Sequence, residues 1–117
     1  MATTRTPLEL ATNVLLHLNI VAAEETPAPS DSNYVIKRYH DLFEEMGSND
    51  ETYWEVEAIP AAIVEPLTQM VALLVMPAFG KPVDAVSMDE GLRVLRRRLR
   101  RTVNVRSAET ATHFEDF

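Results

Sequence analysis

Apolar residues recur at helical spacing in four stretches of the chain, and short polar or proline-bearing segments separate them. In the first stretch, Leu8, Ala11, Leu15 and Leu18 fall on one helical face. Thr6-Pro7-Leu8-Glu9 precedes them. Thr6 is a capping residue, Pro7 suits the first helical position, and Glu9 completes a capping box. Asn19 is the expected stop. Residues 22–33 (AAEETPAPSDSN) are small, polar and proline-bearing, the composition of a solvated loop.

The second stretch predicts a helix starting at Ser30 or Asp31. Val35, Tyr39, Leu42 and Met46 are spaced i, i+4, i+7, i+11, and Phe43 widens the stripe. Gly47 is the expected C-cap. Thr52 to Glu57 (TYWEVE) has β-type residues but is too short and isolated to make a sheet. It is expected to be an extended connection anchored by Tyr53 or Trp54. A third helix follows Ile59-Pro60. Ile63, Val64, Leu67, Met70, Val71, Leu74 and Val75 surround it with apolar side chains on nearly all sides. A helix of that kind belongs at the centre. Pro66 falls in its early turns, where a missing N–H costs least, and Pro77 and Gly80 end it. The fourth helix is expected to begin near Val83 or at the Ser87-Met88-Asp89-Glu90 box. Its stripe is Met88, Leu92, Leu95 and Leu99. After Thr102, Val103-Asn104-Val105-Arg106 alternates like a strand, and the remaining residues show no helical period.

These elements predict an all-α fold, a small four-helix bundle-like protomer over residues 1–101 with an extended C-terminal tail over 102–117. The length of 117 residues fits one domain, and 46% hydrophobic with 25% charged residues is ordinary for a folded protein. No cysteine is present, which excludes disulfides, thiolate metal sites and cysteine nucleophiles. Three glycines are too few for a glycine-rich phosphate loop. The N-terminus lacks the apolar core of an export signal. The longest apolar run, Met70 to Phe79, is short against the ~20 residues a bilayer needs and contains Pro77. Neither export nor membrane insertion is therefore expected, and the chain is expected to act in the cytoplasm or in something assembled there.

Charge changes this picture most. The chain carries a net −7, unevenly spread. Residues 1–92 hold four cations and fifteen acids, a net of −11; residues 93–106 hold seven arginines and no acid; residues 107–117 hold three acids. The body is acidic, with a basic belt and a short acidic end. Three readings of the arginines stay open. They can track a nucleic-acid backbone. They can be a solvated helix end favoured by the helix dipole. They can pair with acidic neighbours in this chain or in adjacent copies. A net negative protein opposes long-range attraction to DNA, which favours pairing.

Candidate chemistry is sparse. His17, His40 and His113 are far apart and form no metal-ligand spacing. The paired carboxylates Glu24/Glu25, Glu44/Glu45, Asp50/Glu51 and Glu55/Glu57 sit where solvated acids usually sit, and nothing in the sequence implies a cleft to separate their pKa values. No serine has an elbow or triad signature. No enzyme activity, metal or cofactor is expected. In the tail, Phe114 and Phe117 are aromatic anchors on a polar segment. The segment is either a frayed end or a docking peptide, the reading that Val103 and Val105 favour.

Taken in order, these pieces resemble the head-to-tail adaptor (connector) proteins of tailed bacteriophages, most of all the packaged-DNA-stabilisation or tail accessory group of short-tailed phages. TPLELATNVLLHLNIV is similar to that family's first helix and its leucine–small–valine corner. YHDLFEEM with Trp54 beyond it is similar to the second helix and following turn. AIPAAIVEPLTQMVALLVMPAFGKP is similar to an Ile-Pro, hydrophobic helix, Phe/Tyr-Gly block, and GLRVLRRRLRR to the last helix. The resemblance spans residues 6–101; this chain has a shorter tail and a denser arginine run.

The resemblance implies a virion protein at the head–tail junction, assembled in the host cytoplasm. Such adaptors form a homo-oligomeric ring, usually of twelve copies, on the portal protein at the capsid vertex. The ring retains packaged double-stranded DNA, which passes through without sequence-specific binding, and gives tail or nozzle proteins a platform. On this reading Arg97, Arg98, Arg101, Val103, Val105, Phe114 and Phe117 are the expected portal contacts. Arg93, Arg96 and Arg100 are the expected contacts between copies. The alternative is a small nucleic-acid-binding regulator that uses the arginine-rich fourth helix.

Overall fold

The computed structural model describes residues 3–49 and 51–115, with side chains through residue 101. Among these residues the fold is all-α, with four helices and one two-stranded ribbon. The elements are β1 (Thr4–Arg5), α1 (Pro7–His17), α2 (Pro29–Ser48), β2 (Ile59–Pro60), α3 (Ala61–Val75) and α4 (Ala85–Glu115). A single 3-10 turn, Met76–Phe79, follows α3.

Helix α3 is the centre. Ile63, Leu67, Met70, Val71 and Val75 are fully buried, and α3 packs against α1, α2 and α4. By length and composition alone, Ala61–Phe79 is apolar enough to cross a membrane. Here the buried residues of α3 join those of the other three helices in one core. Pro66 is tolerated inside α3 because its fixed φ suits a helix and it removes one amide bond near the start.

Helix α1 begins with the expected capping box. The Glu9 amide donates to Thr6 Oγ1 at 3.2 Å, and the Thr6 amide donates to Glu9 Oε1 at 3.1 Å. It ends at Asn19, which takes φ 60°. The Asn19 amide donates to the Leu16 carbonyl and the Ile20 amide to the Leu15 carbonyl, the Schellman closure that satisfies the last carbonyls of a helix. The expected stripe needs one correction. Leu8 is 56% exposed, and the inward face is Pro7, Leu10, Ala11, Val14 and Leu15. The capping box holds the first turn with Pro7 inward, which turns Leu8 out.

Helix α2 starts at Pro29 and runs through Gly47 to a C-cap at Asn49, so Gly47 is not the cap. The Ser48 hydroxyl and the Asn49 side-chain amide both donate to the Glu45 carbonyl at this end. The segment after it is anchored by Trp54, as expected, with Phe43 and Tyr53 edge-on to its ring. Trp54 Nε1 donates to the Tyr39 hydroxyl at 3.3 Å, and that hydroxyl donates to the Val56 carbonyl at 2.9 Å. The segment then forms an element the sequence did not suggest. Thr4 pairs with Pro60 and Arg5 with Ile59, antiparallel. The Ala61 amide donates to the Thr3 carbonyl at 2.9 Å, which satisfies an orphan donor at the start of α3, where Pro60 has no side-chain cap.

Gly80 ends the turn after α3 at φ 74°, the left-handed conformation glycine adopts at least cost. Helix α4 starts at Ala85, between the two expected positions. Asp84 caps it: the Ser87 amide donates to Asp84 Oδ1 at 2.6 Å and the Ser87 hydroxyl to Oδ2 at 3.1 Å. These bonds hold the Asp84 carboxyl below its usual range. Leu95 and Leu99 are buried, and Met88 and Leu92 are half-buried. At Gly91 the helix crosses α3 closely; a Cβ there would lie 2.8 Å from Leu73 Cδ1.

The expected extended tail is also corrected: α4 continues as one helix to Glu115. No glycine or proline follows Gly91, so nothing stops the helix, and the alternation at Val103–Arg106 has no partner strand to pair with. A helix of this length spans about 46 Å, most of the 54 Å long axis of the molecule.

Two outcomes follow. Tyr39→Phe removes the hydroxyl that links Trp54 to the Val56 carbonyl, and chemical denaturation should read a loss of about 1–3 kcal/mol. Burial pushes the Tyr39 phenol up from 10.0 to about 12. The unfolded chain loses that proton first, so stability should fall between about pH 10 and 12, and fall less steeply in Tyr39→Phe. Gly91→Leu should lower stability by about 1–2 kcal/mol, the clash with Leu73 outweighing the ~1 kcal/mol gain in helix propensity.

Candidate functional site

Helix α4 packs on α3 and leaves a cleft between itself and α2. The cleft holds about 360 Å3. Leu42 of α2, Leu74 of α3 and Leu92 of α4 form its apolar floor. Glu45 and Asp89 lie at its edge with Arg93, Arg96 and Arg100. The 3.6-residue period puts these three arginines on the flank of α4 beside its leucine stripe.

Two of the arginines bind inside the chain. Arg96 Nη2 donates to Glu45 Oε1 at 2.8 Å, and Arg100 Nε donates to Glu51 Oε2 at 3.0 Å. They tie α4 to the end of α2 and to the turn after it. Arg96 and Arg100, expected as contacts between copies, here reach acids of their own chain, because helix α2 ends close to α4. Arg93 is exposed and has no ion pair among the described residues.

Glu51 is a further correction. The sequence groups it with solvated acids, but its side chain is only 7% exposed. The Glu51 amide donates to the Met46 carbonyl at 2.9 Å, which folds the turn back under α4. Glu51 Oε1 is buried with no hydrogen-bond partner among the described residues. A buried carboxylate needs a compensating charge, and Arg100 supplies it from the solvent side. No periodicity marks such a residue. The only sequence signal was an acid six residues beyond Glu45, in a chain whose cations lie elsewhere.

The expected portal contacts divide in the same way. Arg97, Arg98 and Arg101 are exposed. By the helical period Arg97 and Arg101 lie toward the face of α4 turned away from its buried Leu95 and Leu99, while Arg98 lies on a flank. Arg97 and Arg101 have no ion pair among the described residues. Val94, on that outer side, is 59% exposed. Val103, Val105 and Phe114 lie outside the residues whose side chains are described, and Phe117 lies outside the described residues altogether.

The other titratable groups do not converge. His17 is exposed at the end of α1, beside a shallow cleft with Asn13, Glu65 and Thr68. His40 packs edge-on against Tyr39 in α2. Among the described residues no three His, Cys, Asp or Glu side chains are grouped to hold a metal. Comparison with protein families, with curated proteins and with solved structures finds no match to this chain. Helix α4 has one flank bound to the chain's own acids through Arg96 and Arg100 and carries Arg97 and Arg101 exposed on its outer side.

Arg100→Ala should destabilise the fold by about 1–3 kcal/mol, because it leaves the Glu51 carboxylate buried without a counter-charge. Arg97→Ala should stay within about 0.5 kcal/mol. Glu51→Gln added to Arg100→Ala should recover much of the loss, since the amide carries no charge to compensate. Urea denaturation of the four proteins completes the double-mutant cycle.

Proposed function

We propose that this chain is a structural virion protein: a ring-forming head-to-tail adaptor that attaches beneath a phage portal, retains packaged DNA and provides the platform for the tail. The reading begins from the resemblance of residues 6–101 to that family. The observation that carries it here is the division of arginines on α4. Arg96 and Arg100 fix the helix to its own body, while Arg97 and Arg101 are carried outward without an ion pair among the described residues.

The helix presents cations to a partner from a protomer whose first 92 residues carry a net of −11. A protein partner with an acidic face fits this arrangement better than free DNA. A duplex lying along α4 would also approach the acidic body, and like charges repel. On this reading Arg97, Arg98 and Arg101 make the portal contact. The acidic body faces DNA that must slide through the ring rather than adhere to it.

The test is gel filtration with light scattering of the full chain, alone and with a cognate portal ring. A stoichiometric ring of copies on the portal is expected, together with weak DNA binding. Arg97→Glu with Arg101→Glu should reduce portal association by at least about tenfold with the fold intact. Absence of portal binding, combined with DNA affinity that falls by orders of magnitude over a modest salt increase, would instead identify a nucleic-acid-binding regulator.

A further inference from the structure

Helices α1 and α3 meet along a polar cleft of about 420 Å3. Asn13 and His17, one turn apart on α1, line it with Glu65 and Thr68 of α3. Thr68 is 6% exposed, and its Oγ1 is buried with no hydrogen-bond partner among the described residues. A helical threonine can settle its hydroxyl on the carbonyl four residues back, as Thr12 does on Leu8 at 3.0 Å. Thr68 makes no such bond. Glu65 Oε1 accepts from Gln69 Nε2 at 2.9 Å, but Glu65 has no ion pair among the described residues.

What these side chains share is the capacity to accept. A carboxylate only accepts, and a hydroxyl, a side-chain amide and a neutral imidazole can each accept as well. A guanidinium carries five donors in a planar fork and can satisfy several such groups at once. Arg93 offers one: it is exposed and has no ion pair among the described residues.

We propose that the α1–α3 cleft of one copy receives the Arg93 guanidinium of a second copy, seated between Glu65 and Thr68. The same copy cannot supply it. Arg93 borders the cleft between α4 and α2, with Leu42 and Leu74. Gln69, bonded to Glu65, borders the groove on the other flank of α4, with Ser87, Glu90 and Val94. Arg93 and Glu65 therefore open on opposite flanks of α4. A donor on one side of the protomer and its acceptor on the other make a head-to-tail contact, which repeats from copy to copy and closes into a ring where the rotation permits. The contact leaves Arg97 and Arg101 for a different partner. It deepens the adaptor reading by naming what joins neighbouring copies, and it rests on that reading only for the ring.

Sedimentation velocity of the full chain over a range of concentrations, with no portal present, tests the contact. Concentration-dependent association is expected. Arg93→Glu and Glu65→Arg should each weaken it by at least about tenfold, and Thr68→Val, which keeps the shape and removes the hydroxyl, by about threefold. Arg97→Glu should leave it unchanged. The Arg93→Glu and Glu65→Arg chains, each monomeric alone, should associate when mixed, because the first keeps the cleft and the second keeps the arginine; this also shows that both are folded. A chain that stays monomeric up to about millimolar concentration overturns the proposal. So does association that Glu65→Arg or Thr68→Val leaves unchanged, since the contact would then lie elsewhere. Portal association is read separately, so a chain that associates through this cleft and ignores the portal would overturn the adaptor reading alone.

Discussion

A helix with apolar side chains on nearly every side has to be covered on every side, and α3 imposes that demand on the whole molecule. Helices α1, α2 and α4 are arranged by it. Each brings one apolar stripe to the core. The short ribbon at the start of α3 answers a different demand. Pro60 offers the helix no side-chain cap, and Thr3, just before β1, supplies a carbonyl to Ala61 instead. The first residues of the chain are thereby fastened to its middle.

Electrostatics then decides how α4 sits. Its leucines fix which face meets α3, but leucines alone leave it free to slide or roll on a smooth apolar partner. Two contacts remove that freedom: the close approach at Gly91 and the ion pairs to Glu45 and Glu51. The pair with Glu45 is partly solvated and adds little by itself. The pair with Glu51 is different in kind, because its carboxylate is out of water and depends on Arg100.

Much of this was legible in the sequence. The order of four helices, the central position of α3, the buried stripe of α2, the anchoring by Trp54 and the stops at Asn19 and Gly80 all follow from period and turn chemistry, which are local. What escaped was non-local. The β1–β2 pairing joins residues more than fifty positions apart and has no alternation to announce it. The burial of Glu51 depends on a turn after α2 meeting a helix that begins more than thirty residues later. The end of α4 was misread for another reason: two valines in alternation say strand only when a partner strand exists. The arginine run is plain in the sequence, but which arginines reach the chain's own acids depends on the position of α2, which no spacing within α4 contains.

The glycine at the α3–α4 crossing has a mechanical meaning. Gly91 meets Leu73 of α3 near the start of helix α4, and the helix runs on for most of its length past that point. It is a lever with a short and a long arm. A tilt of about 5° at the crossing moves position 115 by about 3 Å. Small adjustments of packing at that crossing become displacements the size of a side chain at the far end of α4.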